Sequence, residues 1–207
     1  MKKDYTHITY VIDKSGSMNP LVADVIGGFN KFLEDQKREP GKATLSLIMF
    51  STVVSSRCCM TDINKVEPLT TSTYEPGGGT ALLDAVSEAI ERTGQDLRTL
   101  PEDKRPEKVM VLIMTDGEEN SSKFITRDAL ASKIRHQERK YSWNFVFVGA
   151  NQDSFAEARS LGIRPDMVMN YVSDSKGTQD AYTSMSEGML RARRSKGARV
   201  QDYFSKK

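Results

Sequence analysis

Apolar residues along this chain change spacing from one segment to the next. Ile8 to Ile12, Val109 to Met114 and Asn144 to Val148 are almost continuously apolar, as expected of central strands covered on both faces. Thr44 to Phe50, Val53 to Met60 and Met167 to Asn170 are further strand candidates. Between them, Leu21, Val22, Val25, Ile26, Phe29, Phe32 and Leu33 recur at steps of three and four, as do Leu82, Val86, Ala89 and Ile90. That spacing predicts amphipathic helices. Ala129, Leu130 and Ile134 give a third, Phe155 to Ser160 a shorter fourth, and Tyr182, Met185, Met189 and Ala192 the last. Strands alternating with helices call for crossover connections and parallel pairing. One pair departs from this, because only Ser51 and Thr52 separate two strand-like runs; a hairpin there places an antiparallel strand at a sheet edge. The predicted class is α/β: a Rossmann-like open, mostly parallel sheet with one antiparallel edge strand and helices on both faces.

Three element junctions carry the candidate chemistry. Asp13-Lys14-Ser15-Gly16-Ser17 follows the first apolar run, Gly77-Gly78-Gly79-Thr80 opens the second helix, and Thr115-Asp116-Gly117 follows the fourth strand. Open α/β sheets keep ligand sites at the carboxyl ends of their strands. If the sheet brings these ends together, Asp13, Ser15, Ser17, Thr80 and Asp116 form an all-oxygen site suited to a hard divalent cation, above all Mg2+, with Mn2+ or Ca2+ as alternatives. Plainer roles exist for each part. Residues 13–17 also read as a capped loop, Thr80 as a helix N-cap and Asp116-Gly117 as a turn pair. Glu118 and Glu119 read as a solvated rim. His7 and His136 have no Cys-rich or Asp-rich company, which argues against zinc or catalytic roles.

Taken jointly, these motifs resemble the von Willebrand factor A domain with its metal-ion-dependent adhesion site. The likeness rests on Asp13, Ser15 and Ser17, on Gly78-Gly79-Thr80-Ala81-Leu82-Leu83-Asp84-Ala85, and on Met114-Thr115-Asp116-Gly117-Glu118-Glu119-Asn120. It spans about His7 to Arg194, so residues 1–195 are expected to form a single such domain. The stretch 196–207 is expected to be a basic, disordered tail. The resemblance implies that Ser15 and Ser17 bind the metal directly, that Thr80 does so in the ligand-bound form, and that Asp13 and Asp116 act through water. It also implies a non-enzymatic, Mg2+-dependent protein-binding module whose protein partner offers a Glu or Asp to the metal.

Composition narrows the remaining classes. A chain of 207 residues, 38% hydrophobic, can bury a core of its own. A formal charge of +2 supplies no global field for nucleic acid. The basic residues Arg191, Arg193, Arg194, Lys196, Arg199, Lys206 and Lys207 leave contact with nucleic acid through the tail as one alternative. A Mg2+-dependent phosphoryl-transfer hydrolase is another. Against it, residue 15 is Ser where an Asp-x-Asp pair would need a second carboxylate, and the glycine loop lacks the Gly-Lys-Ser/Thr of a P-loop. Adjacent Cys58 and Cys59 cannot build a disulfide framework and are expected to be buried small hydrophobes in a strand. Neither an apolar run of about 20 residues nor a signal-peptide core is present, so a cytoplasmic protein away from membranes is expected. No residue selects the partner's identity or an oligomeric state.

Overall fold

The structure is a computed structural model describing residues 1–150 and 154–204. Six strands form one sheet: β1 (Lys2–Asp13), β2 (Lys42–Phe50), β3 (Val54–Asp62), β4 (Pro106–Thr115), β5 (Asn144–Ala150) and β6 (Val168–Tyr171). Their order is β3-β2-β1-β4-β5-β6, and every pairing is parallel except β2 with β3. The hairpin read at Ser51-Thr52 therefore forms, and its second strand is the antiparallel edge. The helices are α1 (Val22–Arg38), α2 (Leu82–Thr99), α3 (Arg127–Tyr141), α4 (Ser154–Ser160) and α5 (Ser175–Arg194).

Strand alternation separates two interior faces. Tyr10 points from β1 against Phe29 and Phe32 of α1 and Tyr182 of α5, with ring centroids 5.6, 5.2 and 6.4 Å away. Thr9, its neighbour, points the other way and bonds Thr93 of α2. That is the period-two alternation of a strand buried on both sides. On the first face α1 and α5 meet closely: a Cβ on Gly28 would lie 2.3 Å from the Tyr182 ring, so only glycine admits this approach.

The chain turns outward from β1 in both directions, since β2 and β4 are both its neighbours. A crevice opens at the carboxyl end of such a switch point. Ile12 pairs with Met114, so Asp13 and Thr115 stand side by side at that end.

Two connecting segments pack more closely than their composition suggests. Within the connection 65–79, Val66, Leu69 and Tyr74 are buried, because this loop folds back over α1 and the end of β1. The stretch after α5, read as a disordered tail, is packed as far as it is described. Val200 and Tyr203 are buried, Val200 N–H donates to Asn144 at 2.8 Å, Tyr203 hydroxyl donates to Met185 carbonyl at 2.7 Å, and Arg191 and Arg164 donate to carbonyls of Tyr203 and Val200. Two apolar anchors among basic residues and these four bonds hold it. Lys206 and Lys207, read as part of this tail, lie outside the described residues.

Candidate functional site

Each of the five candidate residues sits where a strand or loop ends at the crevice, and the structure brings them to one place. Asp13 closes β1 and is fully buried. Its Oδ1 accepts the Ser15 N–H at 2.7 Å and its Oδ2 the Thr115 hydroxyl at 2.5 Å. Both bonds fix the carboxylate behind the loop rather than at its surface. Ser15 and Ser17 share a hydroxyl–hydroxyl bond of 3.0 Å, and Ser17 donates to Asp116 Oδ1 at 2.6 Å. Asp116 Oδ2 receives the Ser173 hydroxyl at 3.4 Å.

Thr80 enters from the opposite side. A Cβ on Gly117 would stand 3.0 Å from Thr80 Oγ1 and 3.5 Å from Ser17 Oγ, so both hydroxyls converge on the space left by that glycine. The N-cap role read for Thr80 is not realised. Helix α2 starts at Leu82 with Ala81 at the cap position, and its first-turn N–H groups of Leu83 and Asp84 are taken instead by the Glu119 and Ser122 side chains. The Thr80 hydroxyl is thereby left to face the crevice.

Backbone bonds stitch the three loops together. Gly77 N–H donates to Lys14 carbonyl (2.9 Å), Gly16 N–H to Gly78 carbonyl (3.0 Å), and Asn120 and Ser121 N–H to Thr80 carbonyl (3.1 and 3.2 Å). The three glycines 77–79 are not equivalent. Gly78 alone of them has positive φ, at 78°. Gly79 is needed for space, since a Cβ there would fall 2.1 Å from Ser121 Oγ.

Electrostatics follow from burial. Desolvation pushes the Asp13 carboxyl up to about 6, against the opposing pull of its bonds from Thr115 and Ser15. Tyr74 hydroxyl donates to Asp13 carbonyl at 2.6 Å and is itself held above the usual phenol range, chiefly by burial. Glu119 is not the solvated rim expected of it. Its carboxylate accepts from Leu83, Ser121 and Ser122 N–H and from the Ser122 hydroxyl at 2.7–2.9 Å, tying the loop to α2. Glu118 is exposed, as read. Cys58 is half-buried and Cys59 exposed on edge strand β3, which departs from the buried pair expected.

Thr115, Tyr74, Ser173 and Asn120 were missed as members of the site. Asn120 Oδ1 accepts the Thr80 N–H at 2.8 Å and so sets the orientation of that loop. Thr115 and Asn120 had a sequence signal, since both stand in the phrase after the fourth strand that carries the family resemblance; Tyr74 and Ser173 had none. Among the described residues no cluster of three or more His, Cys, Asp or Glu could hold a metal. The donors gathered here are mostly hydroxyls, with two carboxylates behind them, and that chemistry fits a hard cation that keeps part of its water shell.

Comparison with known proteins bears on the fold that carries these residues. No curated protein matches. Among solved structures, proximal thread matrix protein 1 from the mussel byssus superposes with a TM-score of 0.62 at 16% identity, covering 91% of this chain and 46% of that one. A form of the same protein described as having a zinc-occupied MIDAS motif gives 0.61 at 16% identity, covering 90% and 46%. The vWF domain of the type V pili tip protein Mfa5 from Porphyromonas gingivalis gives 0.65 at 10% identity, covering 95% and 98%. The chain thus spans under half the length of the mussel protein, and at these identities the superpositions show a shared fold alone. A family model for the von Willebrand factor type A domain matches residues 7–184, and with the fold and sheet order described above this chain belongs to that family.

Proposed function

We propose that the protein is a non-enzymatic, Mg2+-dependent protein-binding module. The observation that carries this is the gathering of three hydroxyls, Ser15 on Ser17 and Ser17 with Thr80 around Gly117, beside the hydrogen-bonded carboxylates of Asp13 and Asp116. Ser15, Ser17 and Thr80 would hold the cation, while Asp13 and Asp116 orient the serines and bound waters. Bound by neutral hydroxyls, Mg2+ would retain the electrophilicity to take a Glu or Asp carboxylate from a protein partner. That charge logic agrees with a site at the surface, where Ser17 is exposed while Asp13 is not.

The engagement of nearby carboxylates favours binding over hydrolysis. Asp13, Asp116 and Glu119 each accept at least two hydrogen bonds from the protein itself. None of the three stands ready to take a proton from water. Contact with nucleic acid through the C-terminal arginines is likewise disfavoured. Arg193 donates to carbonyls of Gln36, Glu39, Pro40 and Gly41, and Arg194 grips Glu39 with two bonds.

Isothermal calorimetry with MgCl2 on the chelator-treated protein tests the reading. One-site binding that Ser15→Ala with Ser17→Ala abolishes is expected. Absence of heat with Mg2+, Mn2+ and Ca2+ alike, or binding indifferent to both substitutions, would overturn it.

A further inference from the structure

Beside the candidate metal face a groove runs between α2 and α3. Its upper part, ≈ 610 Å³, is walled by Val53, Ala81, Phe124, Ile125 and Lys133. A second cavity of ≈ 510 Å³ continues it past Gly94 and Arg98 to His136, and the two share Glu91, Ala129 and Lys133. Two large apolar side chains stand at its upper mouth: Phe124 is 91% exposed and Val53 66%.

Phe124 is not exposed because its loop is slack. Asp84, in the first turn of α2, accepts the N–H groups of Lys123, Phe124 and Ile125 at 2.7, 3.0 and 3.1 Å. The aromatic ring is thus carried on a segment bolted down on its inner side, and it meets water at a fixed place. Rigid, exposed aromatics at a rim of polar residues are the usual anchors of protein interfaces.

We infer that this groove receives the same partner segment whose acidic residue reaches the metal, and that it seats a large apolar side chain of that segment between Val53 and Phe124. This rests on the metal-bridge reading above. Continuity argues for a single occupant. Ala81 in the groove wall directly follows Thr80, and Thr52, at the turn before Val53, accepts the Gly79 N–H at 2.8 Å, so the mouth and the metal face are built from the same loops. The Phe124 backbone is held at Asp84, about one helical turn along α2 from Ala81, a step of about two extended residues, and with the further reach from Ala81 past Thr80 to the metal face the apolar anchor is expected within about four residues of the acid. The charges on the upper groove wall are engaged within the protein, Glu91 with Lys133 and Glu88 with Arg92. The Lys133 ammonium is thus already paired and offers no ready rival to the metal for a carboxylate, while a neutral apolar residue enters.

The test uses peptides of about twelve residues, long enough to cross the groove, selected from a random display library on the full chain in MgCl2. Expected are peptides with Asp or Glu and, two to four residues away, Phe, Leu, Ile, Met or Trp. Their binding should be lost with chelator and weakened about tenfold or more by Phe124→Ser, a change at an exposed ring that circular dichroism should show to leave the fold intact. Chelator-sensitive binding indifferent to Phe124→Ser, or selected peptides with an acid and no spaced apolar residue, would overturn the groove and leave the metal reading standing. Binding lost in Phe124→Ser but indifferent to chelator would overturn the linked acid, and with it the metal reading. Concentration-dependent dimers in sedimentation that Phe124→Ser dissolves would assign the groove to a second copy and overturn the proposal, as would a library yielding no binder.

Discussion

Strand β1 passes through two clusters of hydroxyl groups that look alike in composition and differ in what they can do. In its middle, His7 lies fully buried among Thr44, Thr9 and Ser46, with ring nitrogens 2.9, 3.1 and 3.5 Å from their hydroxyls; Thr9 bonds Thr93 and Tyr5 bonds Thr44. At its end, Ser15, Ser17 and Thr80 surround buried Asp13 and Asp116. The first cluster is closed: its hydroxyls spend themselves on one another and on a neutral imidazole. The second has carboxylates behind and an open face before. Hydroxyls alone are no evidence of a ligand site. It is the negative charge behind them and the access in front that separate a satisfied interior from a place for a cation.

The comparison breaks first by acid. Burial pushes the His7 imidazole down to about 3, so the folded chain stays neutral there while the unfolded chain takes up a proton below its ordinary value near 6.5. The unfolded state binds more protons in that window, and this contribution to stability falls as pH drops from about 6.5 towards 3, by about 3 kcal/mol at pH 4. Urea unfolding from pH 7 to 4 should show that slope, and His7→Gln should flatten it. A slope unchanged in the variant would assign the acid loss elsewhere.

Saturating Mg2+, next in size, should stabilise the protein by about 2.7 kcal/mol at a hundred times its Kd, read as a rise in melting temperature that chelator reverses. Asp13→Asn should weaken Mg2+ affinity by about 10–100-fold in calorimetry, whereas Thr93→Val should leave it unchanged. That second variant should instead cost about 1 kcal/mol of unfolding free energy by removing the Thr9–Thr93 bond, while the Thr9 hydroxyl keeps its bond to His7. If Thr93→Val altered metal affinity and Asp13→Asn did not, the division between the two clusters would be wrong.

Much of the frame could be read from residue order because strands buried on both faces announce themselves as apolar runs. Ile8 to Ile12 and Val109 to Met114 are such runs, and the junctions after them were visible at once. Their lengths were underestimated: β1 reaches back to Lys2, where polar residues at the sheet's lower end keep the pairing without an apolar signature. The candidate residues were legible because each sits at a junction. Those that position them were not. Tyr74 bonds a carbonyl 61 positions away, Ser173 a carboxylate 57 away and Asn120 an amide 40 away. No local period records such contacts. Glu119 misled for a related reason, since an acid after a strand looks solvated until the helix start opposite it is known.

The bonding of the stretch after α5 bears on where the molecule can be held. Ser195, Ala198 and Val200 are fastened to Lys108 and Asn144, at the beginnings of β4 and β5, and Lys2 starts β1 beside Arg105. Lys2 and the stretch from Ser195 to Val200 therefore lie at the pole of the sheet opposite Asp13 and Asp116. A surface or probe attached at that pole would leave the crevice facing outward, unobstructed, like the free end of a hook.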